Sequence, residues 1–168
     1  MSTEYVLSEA TAARFAREVA KYPAEQKQSA VMACLSIVQQ EQGYVSRSSE
    51  DAIAAYLGMP AIAVYEVTTF YNMYNQQKLG QFKLNVCTNL PCQLRGGQQA
   101  LEHLCSKLGV EEGGTTADGL ITVQKSECQG ACADAPVLLV NDRQMCSFMS
   151  HERLDQLVDT LKAHAAKN

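Results

Sequence analysis

The chain has 168 residues, of which 46% are hydrophobic and 19% charged, a composition that excludes wholesale disorder. Its formal net charge is −4 with scattered lysines and arginines, so neither nucleic acid nor an anionic membrane surface is an expected partner. It has no secretory signal at its start, and no apolar run approaches the roughly 18 residues of a transmembrane helix. The protein is therefore expected to be cytoplasmic, without direct membrane insertion.

Helical spacing of apolar residues predicts a helical bundle as the first domain, residues 1–78. One helix is predicted at Glu25–Gln42 and ends at Gly43, a residue suited to a left-handed C-cap. A second helix is predicted to follow a capping box at Ser48–Asp51 and to end at Gly58. A further apolar helix comes after it. No segment of this region has the alternation of a convincing strand.

The pattern changes in the second predicted domain, residues 79–168, where apolar and polar residues begin to alternate as in a half-buried strand. The predicted elements are a strand at Phe82–Val86, a helix at Gln93–Leu108, a strand at Leu120–Val123, a hairpin over Pro136–Phe148 and a helix capped by Ser150. This β-α-β-β-β-α order predicts a small α/β sandwich with a right-handed crossover. Together with the helical bundle, it gives a mixed α+β or α/β class.

Four of the seven cysteines form two tight pairs, Cys87 with Cys92 and Cys128 with Cys132. On the predicted map the first pair joins a strand to a helix and the second precedes the hairpin, so all four can meet at one edge of the sheet. In a reducing compartment such spacing indicates metal binding or redox chemistry rather than disulfides. Thiolates select zinc, Cu(I) or iron–sulfur clusters, and the leading interpretation is a [2Fe–2S] cluster.

A structural zinc site with four cysteine ligands is the first alternative, although zinc sites usually pair cysteines roughly two to four residues apart. A thiol–disulfide enzyme is less favoured, because neither pair has the Cys-x-x-Cys spacing. The other cysteines are interpreted as packing residues: Cys34, Cys105 and Cys146. The three histidines are isolated from one another in sequence, and no nucleotide-binding motif is present. The chain is therefore expected to carry electrons rather than to transform a substrate.

Small and rigid residues flank the cysteines. Pro91 and Pro136 are expected to stiffen the two loops, and Gly96, Gly97 and Gly130 to let the backbone pass close to a bulky inorganic group. Amides at the entrance of the adjoining helix can direct hydrogen bonds at the sulfurs. These features predict a preformed pocket for an anionic cluster.

Several other sequence motifs accompany the first cysteine pair at characteristic positions. They are Phe70-Tyr-Asn-Met-Tyr74, Asp118-Gly119, Glu127-Cys128-Gln-Gly-Ala-Cys132, Pro136 and Asn141-Asp142. Over nearly the whole chain this pattern resembles the thioredoxin-like [2Fe–2S] ferredoxin family, and more closely its E-type subunits of NADH:quinone oxidoreductase, respiratory complex I. The resemblance implies a thioredoxin-like second domain. It departs from the family at Cys146, where the hairpin more usually has an aromatic residue, and this cysteine is expected near the cluster.

The resemblance also implies a function. Cys87, Cys92, Cys128 and Cys132 would ligate one [2Fe–2S] cluster, while FMN and NADH would bind only in a partner subunit on which the N-terminal helices pack. The chain would thus be an oxidoreductase subunit without a complete active site, joined by other peripheral-arm subunits and peripheral on the cytoplasmic side of the inner membrane. The alternatives are the small diaphorase subunit of an NAD-dependent formate dehydrogenase or NAD-reducing hydrogenase, and a free ferredoxin.

Overall fold

The computed structural model describes residues 4–166, which divide into two compact units with the boundary between Lys78 and Leu79. No helix in this described part of the chain is both long and apolar enough to cross a membrane.

The first unit is helical. Its elements are α1 (Glu9–Val19), a 3-10 helix (Ala24–Ala30), α2 (Val31–Gln42), α3 (Arg47–Leu57) and α4 (Ala61–Phe70). Large apolar side chains from these helices form one buried core, with Phe15, Leu35 and Leu57 fully enclosed. Gly43 and Gly58 end α2 and α3 as predicted, and both adopt the left-handed conformation, which was predicted for Gly43.

The predicted helix Glu25–Gln42 is divided in the structure. Its first part is a 3-10 helix that leaves helical geometry at Gln26, and the α-helix begins only at Val31. The segment before Val31 is polar and buries only Ala30. It therefore lacks the apolar packing that stabilises most protein helices.

The predicted capping box of α3 is wrong by two residues. The N-cap is Ser46 rather than Ser48, and its Oγ accepts a hydrogen bond from the Ser49 amide at 3.2 Å. Ser49 is fully buried in the first turn of the helix. Because several serines follow one another here, the sequence alone does not show which of them caps the helix.

The second unit combines a sheet with helices. Its elements are β1 (Phe82–Cys87), α5 (Leu90–Leu94), α6 (Gly97–Leu108), β2 (Ile121–Ser126), a 3-10 turn (Cys132–Asp134), β3 (Leu138–Val140), β4 (Gln144–Cys146) and α7 (His151–Ala165). The strand order is β2-β1-β3-β4, with β1 parallel to β2 and antiparallel to β3. The predicted β-α-β-β-β-α order is confirmed. The predicted helix Gln93–Leu108 is instead two helices, because Gly96 adopts a positive φ of 92° between them.

The apolar residues of β1 pack with α6 and α7 in the main core of this unit. Phe82, Leu84 and Val86 share that core with Leu104 of α6 and Leu154 of α7. The cysteine motifs adjoin β1 and α6. Because this core fixes the positions of β1 and α6, it also fixes where the cysteines lie.

Strand β1 is buried along its whole length rather than half-buried as predicted. It lies between β2 and β3, and its two polar residues are enclosed. The Lys83 ammonium lies 2.6 Å from an Asp142 carboxylate oxygen, and the Asn85 amide donates a hydrogen bond to the other oxygen. A buried lysine requires such a partner. The turn residue Asp142, with φ of 56°, thus links the hairpin to the central strand.

We expect Asp142→Asn to lower the free energy of unfolding by about 1–3 kcal/mol, because Lys83 loses a charged hydrogen-bond acceptor in a buried place. Asparagine tolerates the positive φ of this position, so the substitution removes the charge and one of the two accepting oxygens without straining the backbone. Urea unfolding measures the change. Asp159→Asn on the exposed side of α7 is the matched control. Equal stability of the two variants would contradict this role for Asp142.

Candidate metal centre

The four site cysteines gather where β1 ends. Cys87 is the last residue of β1 and Cys92 lies in α5, while Cys128 follows β2 and Cys132 opens the 3-10 turn. Cys87 pairs in register with Ser126, so the loop after β2 starts beside it. Cys87 and Cys92 are buried, and Cys128 and Cys132 are exposed. The site therefore has a buried and an exposed side.

The thiols lie close enough to interact across the two pairs. The Sγ atoms of Cys128 and Cys132 are 3.5 Å apart, and the Cys92 thiol interacts with those of Cys87 and Cys132. Among the described residues, no three Cys, His, Asp or Glu side chains converge on a single ion. A [2Fe–2S] cluster places two ligands on each iron. The donor set consists of two neighbouring cysteine pairs.

Burial raises the pKa of the Cys92 thiol to about 11, although a hydrogen bond from the Val137 backbone acts in the opposite direction. The hydrogen bond with Cys128 raises the pKa of Cys132. Crowding thus disfavours several thiolates at once unless a cation is present to offset their charge. The donor set fits a soft cationic centre, whose binding would release protons from these thiols.

Backbone amides donate to two of the sulfurs. The Gly130 amide lies 3.4 Å from Cys128 Sγ, and the Val137 backbone hydrogen-bonds Cys92. Such amides were expected at the entrance of the helix, but these donors come from the loop after β2 and the segment before β3. Hydrogen bonds to sulfur are one of the factors that set the reduction potential of an iron–sulfur cluster.

Gly97 is needed for close approach of backbones. A Cβ atom there would lie 2.6 Å from the Cys87 carbonyl oxygen and 2.9 Å from that of Cys92. The first residue of α6 is thus seated directly against the backbone of the first cysteine pair. Gly96 and Gly130 have a different role, because both adopt positive φ angles and a Cβ at either would meet no backbone atom within 4 Å.

The side-chain hydrogen bonds of two residues in the site were not predicted from the sequence. The Asn89 amide donates to a Glu127 carboxylate oxygen at 2.9 Å and joins the two cysteine loops. Gln129 Nε2 donates to the Asn85 carbonyl at 2.7 Å and to Ser126 Oγ at 2.6 Å. The only sequence signal was the presence of polar residues inside the motifs, which gives no partner.

The other three cysteines belong to the main hydrophobic cores of the two units. Cys34 is fully buried in the core of the first unit, and burial raises its pKa to about 12. Cys105 and Cys146 are partly buried against the main core of the second unit. Cys146 pairs with Leu138 across the hairpin, and burial alone raises its pKa. The packing interpretation of these three cysteines is confirmed, and the expectation that Cys146 lies near the cluster stays a prediction.

The histidines are not all isolated. The rings of His103 and His151 stack with centroids 4.2 Å apart, and His103 Nε2 lies 2.7 Å from an Asp155 carboxylate oxygen. His164 makes an edge contact with Phe82. The packing of α6 on α7 joins His103 and His151, which are distant in sequence.

Known proteins resemble this chain in sequence and in fold. The sequence model described as thioredoxin-like [2Fe–2S] ferredoxin matches residues 15–162. NADH-quinone oxidoreductase subunit 2 of Thermus thermophilus is 38% identical over 144 residues, which are 86% of this chain and 80% of the relative. An E-type NADH-quinone oxidoreductase subunit of Rhizobium meliloti is also 38% identical over 144 residues, 86% of this chain and 84% of the relative.

Among solved structures, an air-oxidised NAD⁺-reducing [NiFe]-hydrogenase matches with a TM-score of 0.66 at 20% identity. The match covers 80% of this chain but only 23% of the hydrogenase chain. It supports the fold alone.

Proposed function

The chain belongs to the thioredoxin-like [2Fe–2S] ferredoxin family, and from this premise we propose that it is the E-type electron-transfer subunit of an NADH:quinone oxidoreductase. The cofactor of this family is a [2Fe–2S] cluster. We assign its ligands to Cys87, Cys92, Cys128 and Cys132. The observation that carries this assignment is the meeting of the two cysteine pairs where β1 ends.

The chain's own residues hold and shield the redox group. When bound, a [2Fe–2S] cluster supplies one-electron transfer. Cys87 and Cys92 would hold one side away from water, whereas Cys128 and Cys132 would hold the other at the protein surface. The exposed pair marks the side on which a second redox group can approach. No proton or substrate bond needs to move in this role, which is consistent with the absence of a nucleotide motif in the sequence.

Large apolar residues are exposed in the segments that carry or adjoin the cysteines. Leu90 and Leu94 belong to the same short helix as Cys92 and are 64% and 78% exposed, and Phe148 is 49% exposed. The Phe148 amide donates to the Asp134 carbonyl in the turn opened by Cys132. Large apolar side chains left exposed in elements that carry or adjoin the cysteines indicate a surface that a partner covers. We propose that this surface, Leu90, Leu94 and Phe148, docks on the FMN- and NADH-binding subunit.

The first unit has an exposed apolar surface of its own. Ile62 and Phe70 of α4 are 60% and 80% exposed, and Met73 just beyond α4 is 37% exposed. We propose that residues 1–78 are a helical docking domain and residues 79–168 a thioredoxin-like [2Fe–2S] domain. Other peripheral-arm subunits would complete the complex, which would hold the chain peripherally on the cytoplasmic side of the inner membrane.

Two alternatives follow from the same cluster. The chain could instead be the small diaphorase subunit of an NAD-reducing hydrogenase or an NAD-dependent formate dehydrogenase, and the hydrogenase match supports the shared fold. A free ferredoxin is less favoured, because such a carrier has no need for two exposed apolar surfaces.

The proposal is tested with the purified chain and with its complex. The cluster-loaded chain alone should show no NADH:ferricyanide activity, because the NADH site belongs to the partner. An affinity tag on the chain should recover NADH:quinone reductase activity from detergent-solubilised membranes of the source organism. Recovery of hydrogen- or formate-dependent NAD⁺ reduction instead would assign the chain to an alternative complex. NADH oxidation by the pure chain would contradict the proposal.

A further inference from the structure

Gln129 lies between Cys128 and Gly130, yet its side chain is directed away from solvent toward the sheet. Both hydrogens of Nε2 are used, one on the Asn85 carbonyl at 2.7 Å and one on Ser126 Oγ at 2.6 Å. Its Oε1 is buried and, among the described residues, accepts no hydrogen bond. Leaving a buried acceptor without a donor is costly. The side chain is therefore held by its nitrogen, and the bonds formed there must offset that cost.

Both acceptors belong to rigid parts of the sheet. Asn85 lies in the central strand β1, and its own side chain is fixed by Asp142. Ser126 is the last residue of β2. The Gln129 amide thus bridges two neighbouring strands just where the cysteine loop leaves the sheet.

Apart from the Asn89–Glu127 hydrogen bond, the loop itself is weakly restrained. Cys128 and Cys132 are exposed, Gly130 has a positive φ of 80°, and Ala131 is only partly buried. A loop with little apolar burial and a glycine at its centre has many accessible conformations. A side-chain tie beside Cys128 removes much of that freedom.

We propose that Gln129 is a positioning residue for the cluster. By fixing the loop to β1 and β2, it would hold Cys128 and Cys132 in position to bind the cluster, and it keeps the adjacent Gly130 amide directed at Cys128 Sγ. This inference rests on the proposed ligand assignment. The Gln129 amide, and not the cysteines alone, then sets how firmly the cluster is held. It also sets the electronic environment of the Cys128 and Cys132 sulfurs.

Three variants test the role of Gln129. Gln129→Leu removes both hydrogen bonds at similar volume, Ser126→Ala removes one of them, and Gln99→Leu makes the same exchange at an exposed position of α6. Each is purified anaerobically. The readouts are iron per chain, the rate of cluster loss to a chelator, and the EPR g-values and visible circular dichroism of the cluster.

The cluster of Gln129→Leu should be lost about tenfold faster than that of the wild type, with shifted g-values, since two hydrogen bonds are removed. Ser126→Ala should lose it about threefold faster, and Gln99→Leu should match the wild type. Wild-type rates and spectra in Gln129→Leu would overturn the inference. If Gln129→Leu does not fold, as judged by far-UV circular dichroism, Ser126→Ala decides: faster loss with a changed spectrum supports the role, and wild-type behaviour refutes it. A wild-type chain without iron would overturn the proposed function itself.

Discussion

Replacing Cys128 with alanine is expected to abolish the cluster, whereas Cys34→Ala should leave it intact. Cys128 is exposed, and its Sγ atom lies 3.5 Å from that of Cys132. Its loss therefore removes a ligand that the packing cysteines do not replace. Cys34 is enclosed in a core that contains none of the site cysteines. Iron and sulfide per chain, together with visible absorption, measure the outcome.

Cys34→Ala is also a control for general damage to the fold. Compared among the cluster-free proteins, removing a buried sulfur should lower the free energy of unfolding by about 1 kcal/mol, a loss that Cys128→Ala should not share because Cys128 is exposed. The variant that is less stable without the cluster should therefore be the one that still binds it. Full cluster occupancy in Cys128→Ala would refute the ligand assignment.

Gly97→Ala is expected to remove most of the cluster as well, although it changes no ligand. The new Cβ would lie 2.6 Å from the Cys87 carbonyl oxygen and 2.9 Å from that of Cys92, and backbone atoms cannot yield as the end of a flexible side chain can. The overpacking should cost about 1–3 kcal/mol of stability. The backbones of both cysteines would shift, so iron per chain should fall well below the wild-type value.

Gly109→Ala provides the matched comparison at the other end of α6. Its Cβ would meet no atom within 4 Å, but the residue has φ of 64°, so the substitution should cost about 1–2 kcal/mol through backbone strain. The two variants should thus be similarly destabilised and differ in cluster content. Wild-type iron content in Gly97→Ala would show that the contact of α6 with the cysteine backbones is not needed.

The order of elements in the second unit was predictable because each signal is local. Alternation identified β1, helical spacing identified α6 and α7, and Asn141-Asp142 indicated the hairpin turn. The environment of those elements was not predictable in the same way. The alternation of β1 gave no sign that Asp142, distant in sequence, would allow Lys83 to be buried, so the strand was predicted to be half-exposed.

The candidate site, too, was predictable in its local pattern but not in its contacts between distant residues. The spacing of the cysteines predicted a shared site, and the structure brings the four residues together. The tie from Gln129 to Asn85 and Ser126 depends on the path of a loop with a glycine at its centre, and no propensity encodes that path. The stacking of His103 on His151 likewise depends on how α6 packs on α7, which the periodicity of each helix does not specify.

The most direct test of the proposed electron-transfer role is an EPR spectrum of the anaerobically purified protein before and after reduction with dithionite. We predict silence in the oxidised protein and a spin one-half signal on reduction, the behaviour of a [2Fe–2S] cluster that takes up one electron. Persistent silence in protein that contains stoichiometric zinc and no iron would contradict this role. The four cysteines would then form a structural site.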